Sequence, residues 1–222
     1  HRDLPFLAYY PMAVCHDVTN DLDEPVPHGP FGRYDSYAEM VAEMDRAVGR
    51  LVAALNALRL RENTLLLFLS DNGTPQRSIV RAEGDTLIRE PIVSRQHGRD
   101  VSGGKTTLTD SGTRVPMIAN WPEVIAPEQV VNDLVDCSDV WPPLMDLAGI
   151  APPKARRIDG VSFGGRLRGD ASTPRGWVFA QQPMRRDRDS GELSKLTATP
   201  HWVRTARWKL YHDGRLIDMQ TD

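Results

Sequence analysis

The 222-residue sequence predicts an α/β fold: part of a mostly parallel sheet flanked by helices, then a small antiparallel C-terminal subdomain. Three observations carry this reading. A long helical pattern leads directly into an apolar strand pattern, Thr64 to Ser70, which is half of a βαβ unit. That strand is apolar at successive positions, as in a sheet covered on both faces. Near the C terminus, short β-branched and aromatic runs flank an Asp-Gly pair, a strong hairpin signal.

The elements follow in order. Pro5 to Met12 (PFLAYYPM) is a short apolar and aromatic run, expected as a strand. His16 to Pro30 is rich in Asp, Pro and Gly and reads as a loop. Ser36 and Glu39 have capping-box spacing. Met40, Val41, Met44, Val48, Leu51, Val52, Leu55 and Leu58 then recur at helical spacing. Asn63 breaks that pattern ahead of the strand. Pro75 to Gly104 has many charges and no steady period, and is expected as a long loop able to cover a site. Pro116 to Trp121 is another short strand. Ser138 to Gly149 is expected as a helix with Ser138 as N-cap, Pro142 in the first turn and Gly149 at the stop. The turn-rich stretch Arg168 to Gly176 marks the expected boundary between a domain 1–170 and a subdomain 171–222. Beyond it, Trp177 to Gln182, Trp202 to Tyr211 and Arg215 to Met219 are expected strands, with a turn at His212-Asp213-Gly214. Met184 to Lys195 reads as a charged insert.

Composition narrows the function. Hydrophobic content of 40% and charged content of 26% are those of an ordinary globular chain. A formal net charge of −3 gives no reason to expect nucleic acid or a membrane surface as partner. The apolar runs are far too short to span a bilayer. Cys15 and Cys137 have no CxxC or zinc spacing and read as buried free thiols. The chain enters an apolar segment at once, with no signal-peptide pattern, and is expected to start in mid-protein.

Three places could carry chemistry. Asp71 and Asn72 follow a buried strand, where α/β sheets bind ligands, and offer two hard oxygens suited to calcium or magnesium. Asp-Asn-Gly is equally good turn chemistry. Lys105 follows two glycines, which allow backbone to approach an anion while the ammonium supplies charge. The Walker spacing is absent, and a solvated surface lysine is the simpler alternative. His16 follows the first apolar run and could contact an anionic oxygen or protonate a leaving group. His28, His97, His201 and His212 have weaker cases.

In order along the chain, these pieces resemble the sulfatase family of the alkaline phosphatase superfamily. PFLAYYPMAVCH is similar to the family's strand leading to a sulfate-site histidine. YAEMVAEMDRAVGRLVAALNALRLRENTLLLFLSDNG is similar to its helix, strand and metal segment. GGKTTLTDSGTRVPMIANWP is similar to its glycine-lysine loop. VVNDLVDCSDVWPPLMDLAGI, IDGVSFGGRLRG and VRTARWKLYHDGRLIDM resemble its later helix, turn and C-terminal hairpin.

The resemblance implies an alkaline phosphatase-like fold and hydrolysis of a sulfate ester. It implies Asp71 and Asn72 as ligands to a calcium ion, and Lys105 and His16 as catalytic, substrate-binding residues on the sulfate. The family's nucleophile is a Cys or Ser in C/S-x-P-x-R, converted to formylglycine. Neither cysteine nor any serine here fits that motif, and the two adjacent aspartates that complete the metal site are also missing. The chain therefore resembles the C-terminal half of a sulfatase, expected to be inactive alone. Asp110-Ser111 stands where many members have Glu-Gly, which bears on substrate preference.

A sulfated small molecule or glycan is the implied partner, and periplasmic or secreted location follows from the resemblance alone. Self-association through an exposed sheet edge is a further expectation. Two alternatives remain: a phosphatase or phosphonate hydrolase of the same superfamily, and a non-catalytic module binding sulfated glycans.

Overall fold

The computed structural model describes residues 4–16, 37–83, 86–153, 155–170, 173–182 and 199–221. In chain order the elements are α1 (Tyr37–Ala57), β1 (Leu66–Leu69), β2 (Arg77–Glu83), β3 (Thr86–Pro91), β4 (Val93–Gln96), β5 (Arg99–Ser102), α2 (Asp110–Thr113), β6 (Met117–Asn120), α3 (Trp141–Leu147), α4 (Gly164–Leu167), β7 (Val178–Gln181), β8 (His201–Arg204), β9 (Trp208–Tyr211) and β10 (Leu216–Asp218). They fall into two compact units, one formed by His1–Leu60 with Thr74–Gly103, the other by Arg61–Gly73 with Gly104–Asp222. Ser36, His28 and the 184–195 insert lie outside the described residues.

In the first unit, α1 follows the expected periodicity and buries Met40, Ala47 and Leu55. Glu43 is buried on the same helix because Arg46 Nε, at 2.7 Å, and Arg50 Nη2, at 3.1 Å, neutralise its carboxylate. The helix ends where Leu60 N–H reaches back to Leu55 C=O, 2.9 Å, and Arg59 N–H to Asn56 C=O, 3.0 Å. That paired closure needs a left-handed residue, normally glycine; here Arg59 takes it at φ +57°.

The expected loop from Pro75 to Gly104 is instead two hairpins. β2 pairs antiparallel with β3, and β4 with β5. Short-range pattern explains the difference. Apolar residues come in adjacent pairs, Ile79-Val80 and Leu87-Ile88, among arginines and acids, so these strands carry no period of two to mark them. His97 and Gly98 have φ +48° and +79°, the positive pair of a tight two-residue hairpin turn. His97 is thereby a turn residue. Pro5 to Met12 also departs from expectation: it joins no ladder among the described residues, and Phe6, Leu7 and Tyr9 are 60%, 66% and 87% exposed. Apolar content makes a strand only where a neighbour's backbone is available to pair with it.

In the second unit, β1 and β6 form an antiparallel pair, Leu66 opposite Asn120 and Leu69 opposite Met117. Every ladder among the described residues is antiparallel. A parallel pairing would need a further strand on an open edge of β1 or β6. The C-terminal sheet is four-stranded in the order β10-β9-β8-β7. Its expected middle strand, Trp202 to Tyr211, is two strands, because Thr205 N–H bonds Trp208 C=O at 2.8 Å and turns the chain. The β9–β10 turn is as expected, with Gly214 at φ +87°.

The expected helix from Ser138 is shorter. A 3-10 turn, Cys137–Asp139, precedes α3, and the cap is Asp136, not Ser138: its carboxylate accepts from Ser138 N–H while Asp139 accepts from Asp136 N–H. Two adjacent prolines, Pro142 and Pro143, lack the N–H groups to carry the helix back to Ser138. Gly149 ends it at φ +67°, with Ile150 N–H on Met145 C=O at 2.8 Å. Asp139 is fully buried and saturated by Val161 N–H (2.6 Å), Asp136 N–H (2.8 Å) and Arg175 Nε (2.8 Å). This joins the chain on both sides of α4, at Val161 and Arg175, to the turn before α3.

Candidate functional site

The second unit brings the Asp71-Asn72 turn and the Lys105 loop together through glycine. Gly73 N–H donates to Gly112 C=O at 3.0 Å. A Cβ on Gly73 would overlap Ser111 O and lie 2.8 Å from Gly112 Cα; one on Gly104 would lie 2.7 Å from Gly112 N; one on Gly112 would lie 2.5 Å from Thr107 O. No side chain fits at any of the three, so backbone packs on backbone. Both loops are thereby anchored on Ser111-Gly112, in α2.

Lys105 occupies a defined turn. Thr107 N–H bonds Gly104 C=O at 2.9 Å, with Lys105 and Thr106 between. Thr106 has φ +72°, the third-position conformation of a type II turn, which glycine usually supplies. A β-branched residue there is strained, and the surroundings hold it. Thr107 Oγ1 donates to Gly104 C=O at 2.7 Å and continues through Thr109 Oγ1 (2.6 Å) to Ser111 Oγ (3.0 Å). Lys105 itself is half-buried and has no ion-pair partner among the described residues.

Asp71 is exposed and accepts a short hydrogen bond from Asn72 Nδ2. The two side chains therefore converge on one point. Half a turn of the amide would set Oδ1 there beside the carboxylate, giving the paired hard oxygens a calcium ion takes. Such an ion needs six to eight ligands, so these residues fit as part of its shell. Among the described residues, no group of three or more His, Cys, Asp or Glu side chains converges.

His16 belongs to the first unit, where it is exposed and its N–H bonds Ala13 C=O at 3.2 Å. His201 and His212 lie in the C-terminal sheet with ring centroids 5.5 Å apart. Neither cysteine is poised as a nucleophile. Burial pushes the Cys15 thiol up. Cys137 is exposed, not buried as the sequence suggested; partial desolvation, followed by the negative fields of Asp136, Asp139 and Asp71, raises its thiol. A raised pKa means little thiolate at neutral pH.

Sequence reasoning missed the support under this loop. Lys209, on β9, is buried and reaches Asp110 Oδ1 at 2.7 Å. The sequence carried no signal for it: alternation in Trp208-Lys209-Leu210 would turn the lysine outward, whereas in the structure Trp208 and Leu210 are exposed and Lys209 is on the inward face.

The fold is that of solved sulfatases: the structure of BT1596, a 2-O GAG sulfatase, superposes with a TM-score of 0.55 at 23% identity, over 84% of this chain and 35% of that one. The structure of Ps i-CgsB in complex with k-i-k-neocarrahexaose superposes with a TM-score of 0.57 at 22% identity, over 84% of this chain and 36% of that one. A family model described as Sulfatase matches residues 1–150. Steryl-sulfatase of Mus musculus is 35% identical over 77% of this chain and 26% of that protein. Arylsulfatase A of Homo sapiens is 32% identical over 80% of this chain and 32% of that protein. The chain belongs to the sulfatase family. It spans about a quarter to a third of the length of these curated relatives.

Proposed function

We propose that this chain is the ester-holding portion of a longer sulfatase, which hydrolyses a sulfate ester by a calcium-assisted formylglycine mechanism. The observation that carries it is the three-glycine contact that joins the Asp71-Asn72 turn to the Lys105 turn. The partial coverage of the relatives and the lack of C/S-x-P-x-R support assigning the attacking group to another part of the parent. The outward edges of β1 and β6 support a parent sheet that continues there with parallel strands, and self-association where those edges stay open. In this proposal residues 171–222, with their antiparallel sheet, form a small C-terminal subdomain following the α/β portion 1–170, within one compact unit that also includes residues 104–170.

In this reading Asp71 and Asn72 hold a calcium ion, which would neutralise the charge of the bound ester. The Lys105 ammonium, which has no carboxylate partner among the described residues, hydrogen-bonds the sulfate and stabilises charge as it develops on the leaving oxygen. His16 contacts the sulfate from its own segment. The substrate class is a sulfated small molecule or glycan: one relative is a steryl-sulfatase, and a fold neighbour holds a neocarrahexaose. Export to a periplasmic or extracellular space completes the proposal.

The test measures inorganic sulfate binding to the 222-residue chain with and without calcium, and turnover of an aryl sulfate. Binding that needs calcium, weakens in Asp71→Ala and Lys105→Ala, and comes without turnover is expected. Turnover clearly above the Lys105→Ala control would refute the absence of a nucleophile. Calcium-independent binding that Asp71→Ala leaves unchanged would favour a non-catalytic module.

A further inference from the structure

We propose that Lys209 is a positioning residue that fixes the Lys105 turn from the C-terminal sheet; the inference rests on the reading of Lys105 as the sulfate contact. The sheet grips the loop at alternate residues. Gln182 Nε2 donates to Thr106 C=O at 3.2 Å. Lys209 Nζ and Tyr211 OH each donate to Leu108 C=O at 3.3 Å. Lys209 Nζ also pairs with Asp110 Oδ1 at 2.7 Å. Thr106, Leu108 and Asp110 span the segment between the lysine turn and the Ser111-Gly112 anchor.

The charges explain why this grip is specific. Lys209 stands directly opposite Arg204 across β8 and β9. Like charges in that relation repel. Asp110 resolves the conflict, with Oδ1 on Lys209 and Oδ2 at 3.7 Å from Arg204 Nη1. The lysine ammonium lies over the rings of Trp202 and Tyr211, whose centroids are 4.5 and 5.0 Å from Nζ. Lys209 is 1% exposed, so its ammonium has no water to turn to if Asp110 moves. A buried ion pair of this kind adds little net stability over apolar packing, and its contribution is register. Here the register it sets is that of α2, hence of Gly112 and of the strained Thr106 turn. Asp110 occupies the place that the sequence singled out for substrate preference; its first task is structural, under Lys105.

The experiment compares wild-type chain, Lys209→Met and Asp110→Asn. It reads inorganic sulfate affinity by titration with calcium present, and amide exchange at Thr107, whose N–H closes the lysine turn, against Ala148, whose N–H caps α3 on Leu144 C=O at 3.1 Å. Both variants are expected to weaken sulfate binding about tenfold or more. Thr107 exchange should rise about tenfold in both, as the turn opens locally, with Ala148 unchanged. If Lys209→Met does not fold, Asp110→Asn, which keeps size and shape, gives the reading. Wild-type affinity and Thr107 exchange in a folded variant would overturn the proposal. So would an equal rise at Ala148, the mark of general destabilisation. If the wild-type chain itself fails to bind sulfate, the sulfate reading falls, and the Thr107 to Ala148 comparison still decides whether Lys209 positions the turn.

Discussion

Gly73→Ala tests the contact on which the site depends. The added Cβ would overlap Ser111 O and sit 2.8 Å from both Ser111 C and Gly112 Cα. Ordinary carbon contacts lie at about 3.5–4.0 Å, so backbone must part by about 1 Å. Overpacking against atoms that cannot rotate away costs about 1–3 kcal/mol. The same movement breaks the 3.0 Å bond from Gly73 N–H to Gly112 C=O, worth about 1 kcal/mol. A loss of about 2–4 kcal/mol follows, with sulfate binding abolished because the two loops separate. Urea unfolding measures it, with Gly49→Ala as control. Gly49 lies within α1, and an alanine methyl there would meet nothing within 4 Å, so that substitution should stabilise by about 0.5–1 kcal/mol. A Gly73→Ala midpoint within about 0.5 kcal/mol of wild type would refute the three-glycine packing.

Four further outcomes are expected. Lys105→Ala should leave stability within about 0.5 kcal/mol by urea unfolding, since its ammonium pairs with nothing among the described residues. Arg59→Gly should stabilise by about 1 kcal/mol in the same assay, relieving a left-handed conformation. Arg175→Met should cost about 3–5 kcal/mol by stranding buried Asp139. It should also flatten the acid limb of the stability profile. Burial opposes ionisation of Asp139, but Arg175 and the N–H groups of Val161 and Asp136 outweigh it and hold the carboxyl below its usual range. Its contribution is therefore full above the unfolded-state value of about 4 and is lost as pH falls through the lower folded value, which unfolding across pH 5 to 3 would show. Finally, iodoacetamide should label Cys15 and Cys137 more slowly than free cysteine at neutral pH, because both thiols are raised.

Legibility in the sequence followed range. α1, β1, β6, Gly149 as a helix stop and the Asp-Gly turn at Gly214 are encoded by residues within a few positions of one another, and each is present. The hairpins of 77–102 are equally local, but their adjacent apolar pairs and adjacent charges show no alternation to mark the strands. The division at Thr205 was hidden because Trp202 to Tyr211 looks uniformly strand-like, while the turn depends on one backbone bond, Thr205 N–H to Trp208 C=O, and on Trp208 N–H donating to Thr205 Oγ1. Pro5 to Met12 shows the reverse failure, since apolar composition cannot supply a pairing partner.

By itself the sequence determined the chemistry on offer. A carboxylate and an amide end one strand, an ammonium follows two glycines, and no cysteine or serine lies in the nucleophile motif. Those are properties of residue type and spacing, and the order of the segments was enough to mark the family. Only the tertiary structure decided how Asp71, Asn72 and Lys105 share one anchor. Gly73 and Gly112 are distant in sequence, and their contact exists because neither has a Cβ. Only the fold, likewise, set Lys209 beneath the lysine turn, where strand register faces it with Arg204 and makes Asp110 the charge both require.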